Sequence, residues 1–293
     1  MPSASSSNAT LRGPAVPEDE GAATPLQPSP PAVFFVHVMK TGGTTLFEYL
    51  RDHYAPKELW PNPNLDLRFD GPRLDVRHHL SVSYLAGLSE ERRRQIRVYS
   101  GHLPYVAHEV LGPDVAMVTV LRDPVERTIS LLRQFRRSTP GLQDPGRPRP
   151  LADATLEQVY AHPAVFAPLV LNHQTKIFSM RATDHPESYL DLVHVDAARL
   201  ESAKASLAKV DVVGVMERYD DFLDAVEATF GWAVGRESHA NATPATDHEP
   251  VSDALREQIA ADNAIDIEFY EHAKQLVRLR QDQPSAGPTR GLV

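Results

Sequence analysis

The chain has no cysteine, which excludes a disulfide framework, thiolate metal sites and cysteine nucleophiles. No apolar run approaches the roughly 18 residues that span a bilayer. The first residues lack the basic stretch and hydrophobic core of a secretory signal. Positive charge is in deficit: 30 Lys and Arg against 39 Asp and Glu give a net charge of −9. Such a field opposes general binding to nucleic acid, to an anionic membrane or to a heavily sulfated polymer. There is no internal repeat and no heptad pattern. No HExxH-type ligand spacing accompanies the adjacent pair His78-His79, so no metal is expected there. Also missing is GxxxxGK[ST], the phosphate loop of nucleoside triphosphatases.

With 293 residues, 42% of them apolar, the chain can bury a large core. Met1–Pro31 holds seven prolines, five serines and almost no large apolar residue, which predicts a disordered tail. One domain is expected over 32–281, followed by a loose tail over 282–293.

The domain is organised around Val33 to Tyr54. Val33, Phe34, Phe35, Val36 and Val38 read as a strand buried on both faces. Lys40-Thr41-Gly42-Gly43-Thr44-Thr45 breaks that pattern, and Leu46, Phe47, Tyr49 and Leu50 resume it at helical spacing from about Thr44. Two glycines allow a sharp turn and a close approach to a ligand. The free N–H groups of the helix start, two hydroxyls and one lysine then share a hollow suited to a tetrahedral oxyanion.

Two further strands follow the same logic, Val115–Leu121 and Val210–Met216, and a short one ends at Val98-Tyr99-Ser100-Gly101-His102. Three buried strands, each followed by a helix, predict an α/β protein with a mostly parallel sheet and helices on both sides. Histidine at a strand end suits general-base work, so His102 is a candidate base and His37, just before the loop, the second. Arg122-Asp123-Pro124 opens a helix with an N-cap and an N1 proline. Val125, Ile129 and Leu132 form its apolar stripe, with Arg127, Ser130 and Gln134 on the other flank. Arg122 and Ser130 suit a second phosphate, the arginine in a bidentate contact. From Leu121 to Pro150, seven arginines against three acids leave a local balance of +4, a focused anion site in an acidic chain.

These motifs, in this order, resemble those of sulfotransferases that use 3′-phosphoadenosine 5′-phosphosulfate (PAPS). The string His37-Val-Met-Lys40-Thr-Gly-Gly-Thr-Thr45 is most similar to the carbohydrate branch, the heparan sulfate 2-O and 6-O type. The resemblance runs from Val33 to about Val277 and implies a P-loop-like sulfotransferase fold. By resemblance, Lys40, Thr41, Gly42, Gly43, Thr44 and Thr45 hold the 5′-phosphosulfate. Arg122 and Ser130 take the 3′-phosphate, and His102 corresponds to the base of the 2-O-type enzymes. Asn241 and Thr243 fall in a loop that closes over the nucleotide in the family, though the Lys or Arg expected beside Asn241 is absent. Asn172-His173-Gln174-Thr175-Lys176 resembles a recurring family stretch lining the cleft, with His173 expected on a helix surface.

The implied reaction moves a sulfuryl group from PAPS, without a metal, to a hydroxyl of a glycan, glycolipid or metabolite. Eukaryotic members are membrane-anchored and lumenal. Lacking a span or a signal, this chain is expected to be a soluble, cytoplasmic, bacterial member. A nucleotide kinase of related fold and a PAPS-binding module without activity remain as alternatives.

Overall fold

The computed structural model describes residues 32–61, 81–138, 143–144, 147–186, 188–232, 234 and 250–282. The expectations for 1–31, for His78 and His79, for Asn241 and Thr243 and for 283–293 lie outside the described residues.

The protein is α/β. Five strands form one sheet: β1 (Val33–Phe35), β2 (Leu59–Trp60), β3 (Val98–Tyr99), β4 (Ala116–Leu121) and β7 (Val212–Val215). Their order is β2-β3-β1-β4-β7, and all four pairings are parallel. A small antiparallel pair, β5 (Gln143–Asp144) and β6 (Arg147–Pro150), lies where the prolines predict only loop. β2 is likewise a correction, because Ala55–Pro72 reads as loop and a two-residue strand carries no periodicity. β1 ends at Phe35, three residues before the apolar run does. Val36 still donates to the Val118 carbonyl at 2.9 Å, and Val36 and Val38 are buried.

Seven longer helices matter here: α1 (Gly43–His53), α2 (Pro124–Ser138), α3 (His173–Ser179), α4 (Ala197–Leu207), α5 (Tyr219–Phe230), α6 (Asp253–Asp262) and α7 (Ala264–Asp282). They cover both faces of the sheet because strand side chains alternate. Val33, Phe35, Val118 and Val120 pack with Leu46 and Leu50 of α1 and with Phe222 and Val226 of α5. Phe34, Met117, Leu121 and Val213 pack with Phe178 of α3, Leu200 of α4 and Phe269 of α7. Each such side chain, fully buried, contributes about 1.5–3 kcal/mol. A third cluster joins Ile129 and Leu132 of α2 to Leu255 and Ile259 of α6.

The apolar pattern from Ser252 to Arg280 predicts a single helix. Two form instead, with Asn263 between them at φ −113° and ψ 30°, outside helical geometry. Its Nδ2 donates to the Ile259 carbonyl at 2.9 Å, while its Oδ1 accepts from the Asn172 N–H at 2.8 Å. Of the triple Arg92-Arg93-Arg94, which reads in sequence as a solvated helix face, the first two cap backbone carbonyls. Arg93 donates to the carbonyls of Leu85, Ala86, Leu88 and Val110, and Arg92 to those of Lys57 and Leu59.

The chain order sets the site. After β1 the chain builds β2 and β3 on one side, then crosses back to build β4 and β7 on the other. This reversal at β1 opens a crevice at the carboxyl ends of the strands. The loops after β1, β3 and β4 meet there.

Gly214 tests the packing directly. A Cβ built on it would lie 2.4–2.6 Å from the Cδ2, Cγ and Cβ of Phe222. Overpacking of this kind costs about 1–3 kcal/mol. Gly214→Ala is therefore expected to lower the melting temperature by several degrees, roughly 2–4 °C per kcal/mol at this size. An unchanged melt would show that α5 shifts freely on the sheet.

Candidate active site

The loop after β1 is held in an uncommon shape. Lys40 has φ +68° and Gly42 φ +85°, both in the left-handed region. That region is easy for glycine and costly for lysine. The two glycines are also required sterically. A Cβ on Gly43 would lie 2.4 Å from the His37 ring, and one on Gly42 would lie 2.4 Å from the Met216 sulfur.

Several bonds hold that shape. Thr41 Oγ1 donates to the Val38 carbonyl at 2.9 Å and is fully buried. The threonine hydroxyl thus braces the loop rather than facing a ligand. Tyr219 Oη donates to the Gly42 carbonyl at 3.1 Å. Of the two hydroxyls that open α1, that of Thr44 belongs to a residue lining the hollow.

The hollow is a cavity of about 280 Å³. The β1 loop contributes His37, Met39, Lys40, Gly42, Gly43 and Thr44 to its wall. His102 comes from the loop after β3 and Arg122 from the end of β4. Ser130, Gln134 and Arg137 come from one flank of α2, and Met216 from the segment after β7. Spacings of four and three residues put the three α2 side chains on adjacent turns. Among the described residues no carboxylate lines the cavity.

The lysine loop and Arg122 are neighbours. Arg122 Nη1 donates to the Lys40 carbonyl at 3.3 Å. Burial lowers the Lys40 pKa, and the nearby guanidinium groups of Arg137, Arg122 and Arg127 lower it further. A cation crowded by cations is an electrostatic vacancy for an anion.

His102 Nδ1 bonds the His37 carbonyl at 2.9 Å. A carbonyl only accepts, so Nδ1 carries the proton and Nε2 keeps its lone pair in the neutral ring. The His102 and His37 rings lie 4.5 Å apart, and His37 stacks on Phe35. Desolvation depresses the pKa of both rings. For His102 the bond to the His37 carbonyl offsets part of that, and Arg127 and Lys40 add to the lowering. Both histidines are therefore neutral at pH 7.

Three residues read otherwise in the sequence are structural keys. Arg127, expected on the polar flank, is only 1% exposed. Its Nε donates to the Met39 carbonyl at 3.1 Å and its Nη2 to the Leu169 carbonyl at 2.7 Å. Burial pushes its pKa down to about 10. His173, expected on a surface, is 1% exposed, with Nδ1 bonded to the Pro168 carbonyl at 3.1 Å. Lys176 is buried too, and its ammonium donates to the carbonyls of Pro168, Tyr189 and Asp191 at 2.7–3.0 Å. Any polar string in a helix looks solvated from sequence. The signal that was available is the absence of apolar residues on every face of 172–176, which leaves the polar ones to be buried when the segment is central.

No protein-family model and no curated protein matches the chain, so the reading of the site rests on its geometry.

Arg127 and Arg137 separate scaffold from surface. Arg127→Ala removes the donor of the buried Leu169 carbonyl, at about 1–3 kcal/mol, and of the part-buried Met39 carbonyl, so the melting temperature is expected to fall by several degrees. Arg137, which is exposed, is expected to change the melt by under about 0.5 kcal/mol when replaced by alanine while weakening the thermal stabilisation by sulfate. Equal melting losses for the two variants would contradict this division.

Proposed function

We propose that the protein is a PAPS-dependent sulfotransferase of P-loop-like fold acting on a hydroxyl of a carbohydrate or small-molecule acceptor. One observation carries this reading. A single cavity is lined by the Lys40–Thr44 loop, by Arg122 and Ser130 next to it, and by His102. A donor with an anionic group at each end of one adenosine fits such a pair of sites. The left-handed Gly42 turn supports the fit.

In the reaction the acceptor oxygen attacks sulfur in line with the departing phosphate oxygen. The new O–S bond forms as the bridging S–O bond breaks. His102 Nε2 takes the acceptor proton, and adenosine 3′,5′-bisphosphate leaves. Lys40 offsets charge that grows on the bridging oxygen, while Gly43, Thr44 and the start of α1 hold the 5′ end. Arg122 and Ser130 hold the 3′-phosphate. Positioning and electrostatics dominate, as in phosphoryl transfer.

Transfer to a panel of hydroxyl acceptors, read with labelled PAPS, tests the proposal. His102→Ala is expected to bind the bisphosphate product normally while kcat falls by roughly 10²- to 10⁴-fold. The pH profile is fixed by sign. A lowered histidine pKa leaves the base unprotonated at neutral pH, so kcat/KM should rise through a midpoint below 6.5 and be flat around pH 7. An acid limb above pH 7, or full turnover by the alanine variant, would move the base away from His102.

A further inference from the structure

Arg122 stands one residue beyond β4, where the sheet no longer supplies partners for its backbone. A side chain from elsewhere supplies them instead. Gln174 Oε1 accepts from the Arg122 N–H at 3.2 Å, and Gln174 Nε2 donates to the Arg122 carbonyl at 2.8 Å. The amide thus copies one rung of a β-ladder, and only this orientation satisfies both bonds.

Gln174 is itself fully buried and fixed from the other direction. Its backbone N–H donates to Asp266 Oδ2 at 3.0 Å, beside the bond from Thr175 N–H to Oδ1 at 2.7 Å. Asp266, on α7, in turn donates its own N–H to Asn172 Oδ1 at 3.0 Å. An apolar residue of similar volume would fill the space at Gln174 without the cost of burying an amide. What leucine would not do is fix the backbone of Arg122, and with it the direction in which the guanidinium leaves the chain.

We propose that Gln174 is a positioning residue for nucleotide recognition: its amide clamps the backbone of Arg122 so that the guanidinium is aimed at the 3′-phosphate of the donor. This rests on the sulfotransferase reading. Gln174 does not line the cavity, and it acts through Arg122 alone. Its loss should therefore be felt at one end of the nucleotide and not at the other.

Calorimetric titration of the full chain with adenosine 3′,5′-bisphosphate and with AMP separates the outcomes, since the two differ only in the 3′-phosphate. Wild-type protein is expected to prefer the bisphosphate by more than tenfold. In Gln174→Leu that preference should shrink by about tenfold with AMP affinity unchanged, as expected when a charged hydrogen bond loses its geometry. Combined with Arg122→Ala, it should cost nothing more, because the two residues act as one unit. Gln174→Glu keeps the acceptor and loses the donor, so it should show an intermediate loss and replaces the leucine variant if that one does not fold. A wild-type preference retained in both Gln174 variants overturns this inference alone, as does an equal loss for both nucleotides. A wild-type protein that does not distinguish the two nucleotides overturns the sulfotransferase reading and this inference together.

Discussion

The candidate site depends on one buried guanidinium. Arg127 ties the Met39 carbonyl, in the loop after β1, to the Leu169 carbonyl that precedes α3. Three segments far apart in sequence are thereby set at fixed distances: the lysine loop, α2 and the 166–170 turn. A guanidinium does this better than a lysine would, because its planar fork of donors reaches two carbonyls at once. The cost is a buried cation with only carbonyl partners and a depressed pKa. It is tolerable because Asp266 is close enough to favour the charged form.

Around that support the cavity collects charge of one sign. Lys40, Arg122 and Arg137 line it, and Arg127 lies behind. The whole chain is acidic, so this concentration reflects placement rather than composition. Mutual repulsion among the four is relieved by an anion, and relieved further by one with two separated anionic groups. Burial is the main cause that keeps His102 neutral, Arg127 and Lys40 add to it, and the His37 carbonyl fixes which nitrogen holds the proton. The left-handed turn at Lys40 and Gly42 adds the geometry, bringing the start of α1 against the same hollow.

Much of the fold was legible because its signals are local. The β-branched runs at Val33–Val38, Val115–Leu121 and Val210–Met216 announced three of the five strands. Asp123-Pro124 marked a helix start that the structure also has. The lysine loop and Arg122 were legible as candidates because glycine pairs and strand-end cations are read from a few residues. What escaped is what depends on distant partners. β2 is two residues long and exists only through β3. Asn263, between α6 and α7, takes the N–H of Asn172, some 90 residues earlier, on its side-chain oxygen. Arg127 was assigned to a polar flank because amphipathic reasoning assumes one wet face, whereas Thr128, Ile129, Leu131 and Leu132 are buried around it. The same assumption placed His173 on a surface, and it left Gln174 and Lys176 without a defined task. Thr41 fell within a legible motif, yet its hydroxyl serves the loop. A motif names the residues without saying which way each one turns.

The central claim is that one nucleotide bridges the lysine loop and Arg122. A crystal structure with adenosine 3′,5′-bisphosphate tests it most directly. The account predicts the 5′-phosphate on the amides of Gly43 and Thr44 beside Lys40, and the 3′-phosphate on Arg122 and Ser130. A nucleotide bound with its 3′-phosphate away from Arg122, or one that binds outside this cavity, would contradict it.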